Sequence, residues 1–135
     1  VTQIWERLFL GSLADAEDLA KANPQSISTV ISLCEVCVAS QRRGVNYIHI
    51  PIADDRPVPL GQFDRVMDAI GENIRWGTVL IHCRECVSRA PCFTAAWMAA
   101  VGYKNLDAAL AEIRRLQPFI NPSKTLLNIL KEHLL

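Results

Sequence analysis

Apolar positions along the chain fall into two rhythms, and each predicts a kind of element. Ile27 to Cys34 (ISTVISLC) is short, β-branched and almost continuously apolar, the pattern of a buried strand. Val45 to Ile52 (VNYIHIPI) reads as a second strand, with Gly44 before it and Pro51 closing it. Thr78 to His82 (TVLIH) reads as a third, opened by the turn signal at Gly77. Helical spacing takes over at Phe63, Val66, Met67, Ile70 and Ile74, which predict a helix from about Gln62 to Trp76 ending at Gly77. Leu106, Ala109, Leu110 and Ile113 predict another, N-capped by Asn105 and stopped by Pro118. Leu126, Leu127, Leu130 and Leu134 mark a last helix capped by Ser123. Ala90 to Val101 (APCFTAAWMAAV) is apolar all round, so it is expected to be a buried helix, with Pro91 in its first turn and Gly102 after its last. Val1 to Leu10 adds one or two edge strands, and Leu13 to Ala22 a short helix. Apolar strands separated by helical patterns imply an α/β fold: a central, mostly parallel twisted sheet of about four to five strands flanked by helices.

Composition narrows the reading. At 135 residues, 50% hydrophobic and 21% charged, the chain is expected to be one globular domain over 1–135. Lys+Arg and Asp+Glu are 14 each, so the basic excess of a nucleic-acid binder is missing and no nucleic-acid partner is expected. The longest dense apolar stretch, Cys92 to Val101, is far short of the roughly 20 residues that span a bilayer, so no membrane association is expected. No leader is visible, although a chain that starts at Val1 leaves a lost one open. Five cysteines form an odd set, which favours free thiols in a reducing compartment. A cytoplasmic or nuclear monomer is the expectation.

The informative stretch is Val79 to Ala90, VLIHCRECVSRA. A hydrophobic strand ends at His82, a tight turn follows Cys83, and Arg89 stands at the start of the buried helix. A loop between a strand end and a helix N-terminus points successive N–H groups inward and makes a nest for an anion. The amides from Arg84 through Glu85, Cys86, Val87 and Ser88 to Arg89 would form that nest. Arg89 adds a planar fork suited to two phosphate oxygens. Cys83 sits at the bottom, where the helix dipole, the amides and Arg89 all favour thiolate over thiol. A thiolate facing a phosphoryl group is a nucleophile placed for attack at phosphorus.

His82-Cys83-x5-Arg89 resembles the signature of the protein tyrosine phosphatase superfamily, and the apolar strand and helix around it resemble the dual-specificity branch. RLFLGSLADA, TVISLCE, IHIPIADD and RRLQPFINPSKTLLNIL extend that resemblance over most of the chain. It implies a metal- and cofactor-independent phosphatase working through a phosphocysteine. Cys83 would be the nucleophile, Arg89 the transition-state clamp and Asp54 the general acid and base, with Asp55 the neighbour to test next. Phosphorylated proteins or peptides are the implied substrates, with small phosphomonoesters besides. A short chain has little material for a deep phosphotyrosine-only cleft, so phosphoserine and phosphothreonine are expected to enter as well. Glu85 argues mildly against phosphoinositides.

Two positions depart from the family pattern. Cys86 stands where the family has Gly, and at a positive φ it would strain the loop by roughly 1–3 kcal/mol. It also places a second thiol beside the nucleophile, available as a redox partner of Cys83. Ala90 stands where the family has Ser or Thr, which implies slow breakdown of the phosphoenzyme and a burst of product.

The remaining polar residues read as structural. His82 is expected to be a buried histidine orienting the loop. His133 reads as pairing with a helix-end dipole. Glu35 reads as an exposed loop carboxylate, with a reach to hold Arg89 as the alternative, and Arg42-Arg43 as a solvated pair, with guidance of an anionic substrate as the alternative. Trp76, Trp97 and Met98 read as core or helix-end packing. Three rival readings stand beside the phosphatase. They are a zinc module on Cys34, Cys37, Cys83 and Cys86, a thiol–disulfide oxidoreductase on Cys83-Arg84-Glu85-Cys86, and a phosphate-binding pseudophosphatase.

Overall fold

Residues 1–53 and 56–134 are described by the structure, a computed structural model. Its elements run β1 (Thr2–Trp5), β2 (Leu8–Gly11), α1 (Leu13–Asp18), β3 (Ile27–Ser32), β4 (Asn46–His49), α2 (Leu60–Ile74), β5 (Thr78–His82), α3 (Arg89–Ala100), α4 (Leu106–Leu116) and α5 (Lys124–His133). The five strands lie in the order β1-β2-β5-β3-β4, antiparallel at β1–β2 and parallel at the other three pairings. β2 is therefore an inner strand, registered Leu8 to Val79 through Gly11 to His82 on β5. Only β1 from the N-terminal segment lies at an edge.

Alternate residues of the inner strands feed two separate cores, as the two-residue period of a strand requires. Leu8, Leu10, Ile31, Val79 and Ile81 join the larger core with α2, α3, α4 and α5. Val30 and Leu80 join the smaller one with Ala16 and Leu19 of the α1 region. α3 is apolar all round because it runs through the larger core; every residue from Ala90 to Met98 is buried.

Helix ends follow local chemistry. Ser12 and Asp15 form a capping box on α1, with Ser12 N–H donating to Asp15 Oδ2 at 2.9 Å. Asn105 accepts from Ala108 N–H at 2.8 Å and Ser123 from Leu126 N–H at 3.3 Å, so both predicted caps are in place. α2 starts at Leu60, two residues before the predicted Gln62, because Pro59 sets its N-cap and Leu60 faces solvent outside the apolar stripe. Trp76 is 85% exposed, with Arg75 over its ring, rather than packed inside. Gly77 is required by close approach: a Cβ there would lie 2.1 Å from Ser28 Oγ, which accepts from Thr78 N–H. Among the described residues no helix is long and apolar enough to cross a membrane.

Candidate active site

β5 carries His82 and Cys83 to the C-terminal edge of the parallel strands, and α3 begins six residues later at Arg89. Three carbonyls of the intervening loop are bonded to groups outside it. Cys83 O accepts from His82 Nδ1–H at 3.0 Å, Arg84 O from Leu13 N–H at 2.9 Å, and Val87 O from Asn121 N–H at 2.8 Å. In a trans peptide the N–H of the next residue points the opposite way, so the amides of Arg84, Glu85 and Ser88 face inward. Among the described residues no peptide is cis. A cleft of about 450 Å³ lies over them, lined by Cys83, Arg84, Glu85, Val87, Ser88, Arg89 and Asn121.

Cys83 is buried at the floor of that cleft, and its Sγ accepts from Ala90 N–H at 3.4 Å, in the first turn of α3. That contact brings helix N-terminal charge onto the sulfur. His82 supports the loop from beneath. Its Nδ1 donates to the Cys83 carbonyl, so its Nε2 accepts from Ser32 Oγ–H at 2.6 Å. Burial holds its pKa below the ordinary imidazole value, which keeps it neutral, as expected of a structural histidine.

Arg89 lies over the cleft with its side chain 15% exposed. Its Nη1 donates to Glu35 Oε2 at 3.1 Å and to Ile52 O at 3.2 Å. Glu35 also accepts from Arg84 Nε at 2.9 Å and from Arg84 Nη2. Glu35 is exposed, as expected, and it also makes the alternative reach to Arg89: β3 ends at Ser32 beside β5, and this adjacency delivers Glu35 to both arginines of the loop. Its own backbone N–H, then Arg84 and Arg89, lower the Glu35 pKa to about 2. His133 also has a specific partner, the Val58 carbonyl at 2.7 Å from Nε2, in place of a diffuse dipole contact. Arg42 is half-buried and donates to Leu19 O at 2.9 Å.

Cys86 has φ 61°, the left-handed region expected to favour glycine at this turn. Its side chain is buried and accepts from Gln117 Nε2–H at 3.4 Å. Burial pushes its thiol up to about 12, so it stays protonated near neutral pH. The backbone cost of about 1–2 kcal/mol is borne by a loop pinned on all sides. Three of those pins come from the segment between α4 and α5: Gln117 on Cys86, Asn121 N–H on Val87 O, and Ser123 N–H on Ser88 Oγ at 2.9 Å. Sequence reading missed Gln117 and Asn121, since nothing local marks a polar residue that braces a loop 30 positions away.

The four thiols of the zinc reading point at separate partners. Cys34 donates to Val36 O at 3.3 Å, Cys37 faces His49 Nδ1 at 3.1 Å, Cys83 meets Ala90, and Cys86 meets Gln117. Among the described residues no group of three or more His, Cys, Asp or Glu could hold a metal ion, and all five cysteines are free. Asp54 and Asp55 lie outside the described residues. The segment leading to them is tied to the site through Ile52 O on Arg89.

The fold is thus a mixed, mostly parallel α/β sheet, with a buried cysteine after its inner strand β5 and an arginine at the start of α3 lining one cleft. The catalytic-domain model of the dual specificity phosphatases matches residues 8–134, and the chain belongs to that family. Dual specificity protein phosphatase 18 of Rattus norvegicus is 25% identical over 128 residues, covering 91% of this chain and 61% of that protein. Dual specificity protein phosphatase 15 of Homo sapiens is 28% identical over 118 residues, covering 86% of this chain. This chain thus spans about three fifths and two fifths of those relatives. The crystal structure of DUSP15 superposes with a TM-score of 0.87 at 26% identity, covering 98% of this chain and 86% of that one. Human DUSP28, at 20% identity and a TM-score of 0.86, shares the fold over 99% of this chain and 95% of its own.

Proposed function

We propose that the chain is a cysteine-dependent phosphatase that hydrolyses phosphotyrosine and phosphoserine/phosphothreonine monoesters through a phosphocysteine. The observation that carries this reading is the buried Cys83 lining the 450 Å³ cleft together with Arg89, its Sγ accepting from Ala90 N–H at the start of α3. In the first step the Cys83 thiolate attacks phosphorus in line, the P–O bond breaks, and Asp54 gives its proton to the leaving oxygen. In the second, Asp54 takes a proton from water, whose oxygen attacks the phosphocysteine and releases Cys83 and inorganic phosphate. The amides and Arg89 meet the charge on the three equatorial oxygens in both steps. The match to the dual specificity phosphatase model supports a site that takes both aryl and alkyl phosphates.

A second reading, a phosphate-binding pseudophosphatase, draws on Ala90 and on the left-handed Cys86. Reversible closure of Cys83 onto Cys86 belongs to the first reading and requires the Cys86 thiol to leave Gln117. One experiment separates these. Hydrolysis of p-nitrophenyl phosphate is measured for this chain, for Cys83→Ser and for Asp54→Asn, with EDTA, with and without reductant. Expected are EDTA-insensitive turnover abolished by Cys83→Ser, a fall of about 100-fold or more in Asp54→Asn, and a product burst before a slower steady rate. Phosphopeptide binding without turnover under reducing conditions would establish the pseudophosphatase instead.

A further inference from the structure

The Cys34-x-x-Cys37 motif is not used by the phosphate site, and the structure splits its two thiols. Cys34 is buried and donates to Val36 O at 3.3 Å, while Cys37 is exposed in the loop after β3. Cys37 Sγ lies 3.1 Å from His49 Nδ1, and His49 Nε2 lies 2.7 Å from Cys34 O. A carbonyl oxygen only accepts, so Nε2 carries the ring proton and the Nδ1 lone pair faces the thiol. Thiol, base and a backbone group that fixes the tautomer of the base thus stand in the order of an activated cysteine. The loop is anchored on both sides of the pair. Glu17 accepts from Ala39 N–H and Ser40 N–H at 2.7 Å each, and Glu35 is held by Arg84 and Arg89. His82 on β5 lies within electrostatic reach of His49, and Cys34 is kept protonated by burial.

We propose that Cys37, with His49 as its base, is a site of S-thiolation by low-molecular-weight disulfides of the glutathione class. His49 Nδ1 takes the thiol proton, and the Cys37 sulfur attacks one sulfur of the disulfide RSSR. The Cys37–S–S–R bond forms as the reagent's S–S bond breaks. The departing thiolate takes the proton from His49 and leaves as RSH. Cys37 is oxidised, one RS group is reduced, and excess RSH reverses the step. Cys34, turned to Val36 O, takes no part, so the product is a mixed disulfide rather than a Cys34–Cys37 bond.

The test uses the full chain with Cys83→Ser, which removes the other candidate reactive thiol, and oxidised glutathione as the probe. The readout is peptide mass, so it is independent of whether the chain is a phosphatase. The expected result is glutathione on Cys37 before any other cysteine, at a rate falling about tenfold or more in His49→Asn. Should His49→Asn misfold, His49→Gln, which also keeps an N–H donor for the Cys34 carbonyl but supplies no ring base, decides in its place. Labelling unchanged in whichever of the two variants folds, first labelling elsewhere or a Cys34–Cys37 disulfide would each overturn the proposal.

Discussion

Arg89 has five N–H donors, and the two on Nη1 are taken by Glu35 and the Ile52 carbonyl. Among the described residues the edge formed by Nε and Nη2 has no hydrogen-bond partner, and under the proposed mechanism it would meet two oxygens of a phosphate. Glu35 would then be a positioning residue that selects which edge of the guanidinium is offered. With its pKa lowered to about 2 by its own amide and both arginines, Glu35 is ionised throughout the neutral range. Its stabilising contribution is complete above its ordinary value of 4.5 and is lost only as pH falls toward about 2. Glu35→Gln is expected to lower kcat/KM on p-nitrophenyl phosphate by roughly tenfold, through a looser Arg89, without displacing the acid limb of the pH–rate profile. Unchanged kinetics would show that Ile52 O suffices. The reach of Glu35 to Arg89 could be named from the sequence but not preferred, and its contact with Arg84 was illegible, because these partners lie 54 and 49 positions away. Cys83, Arg89 and the strained Cys86 were legible because strand, loop and helix are contiguous, so local spacing carries the geometry.

The buried β3 and β5, the apolar α3 and the caps at Asn105 and Ser123 could be read in advance, since periodicity and capping are local. Strand order could not. β2 is as short as β1, and its inner position comes from its parallel pairing with β5, 71 residues on. The β3–β5 junction shows why such a pairing is specific. Ser28 Oγ both donates to Thr78 O at 3.1 Å and accepts from Thr78 N–H at 3.0 Å, in space that Gly77 leaves open. A methyl at position 77 displaces that hydroxyl and unpairs the start of β5. Gly77→Ala is expected to cost about 1–3 kcal/mol in denaturant unfolding. Adding Ser28→Ala, which removes the atom the new Cβ would strike, should make the double variant less destabilised than the sum of the two single changes. Strict additivity would mean that the two positions do not compete for this space.

At the scale of the whole chain, the buried His82 links the loop between β5 and α3 to global stability. His82 lies at the junction of β5 with the loop, bonded to Ser32 of β3 and to the Cys83 carbonyl. Burial lowers its pKa from 6.5, so the native state rejects a proton that the unfolded chain accepts. Below about pH 6.5 the unfolded state therefore binds more protons than the native state, and stability falls as pH falls. The slope approaches about 1.4 kcal/mol per pH unit while His82 stays neutral, and flattens once the folded value is passed. Glu35 adds nothing in this window, because its own loss begins only below 4.5. Urea unfolding should thus show a lower stability at about pH 5 than at pH 6.5. In His82→Asn, which keeps a donor for the Cys83 carbonyl but does not titrate, that loss should shrink even though the variant starts from a lower stability. An equal loss in both proteins would place the acid sensitivity elsewhere. In that case the loop and the core would unfold without the proton linkage that the Ser32–His82–Cys83 chain of hydrogen bonds implies.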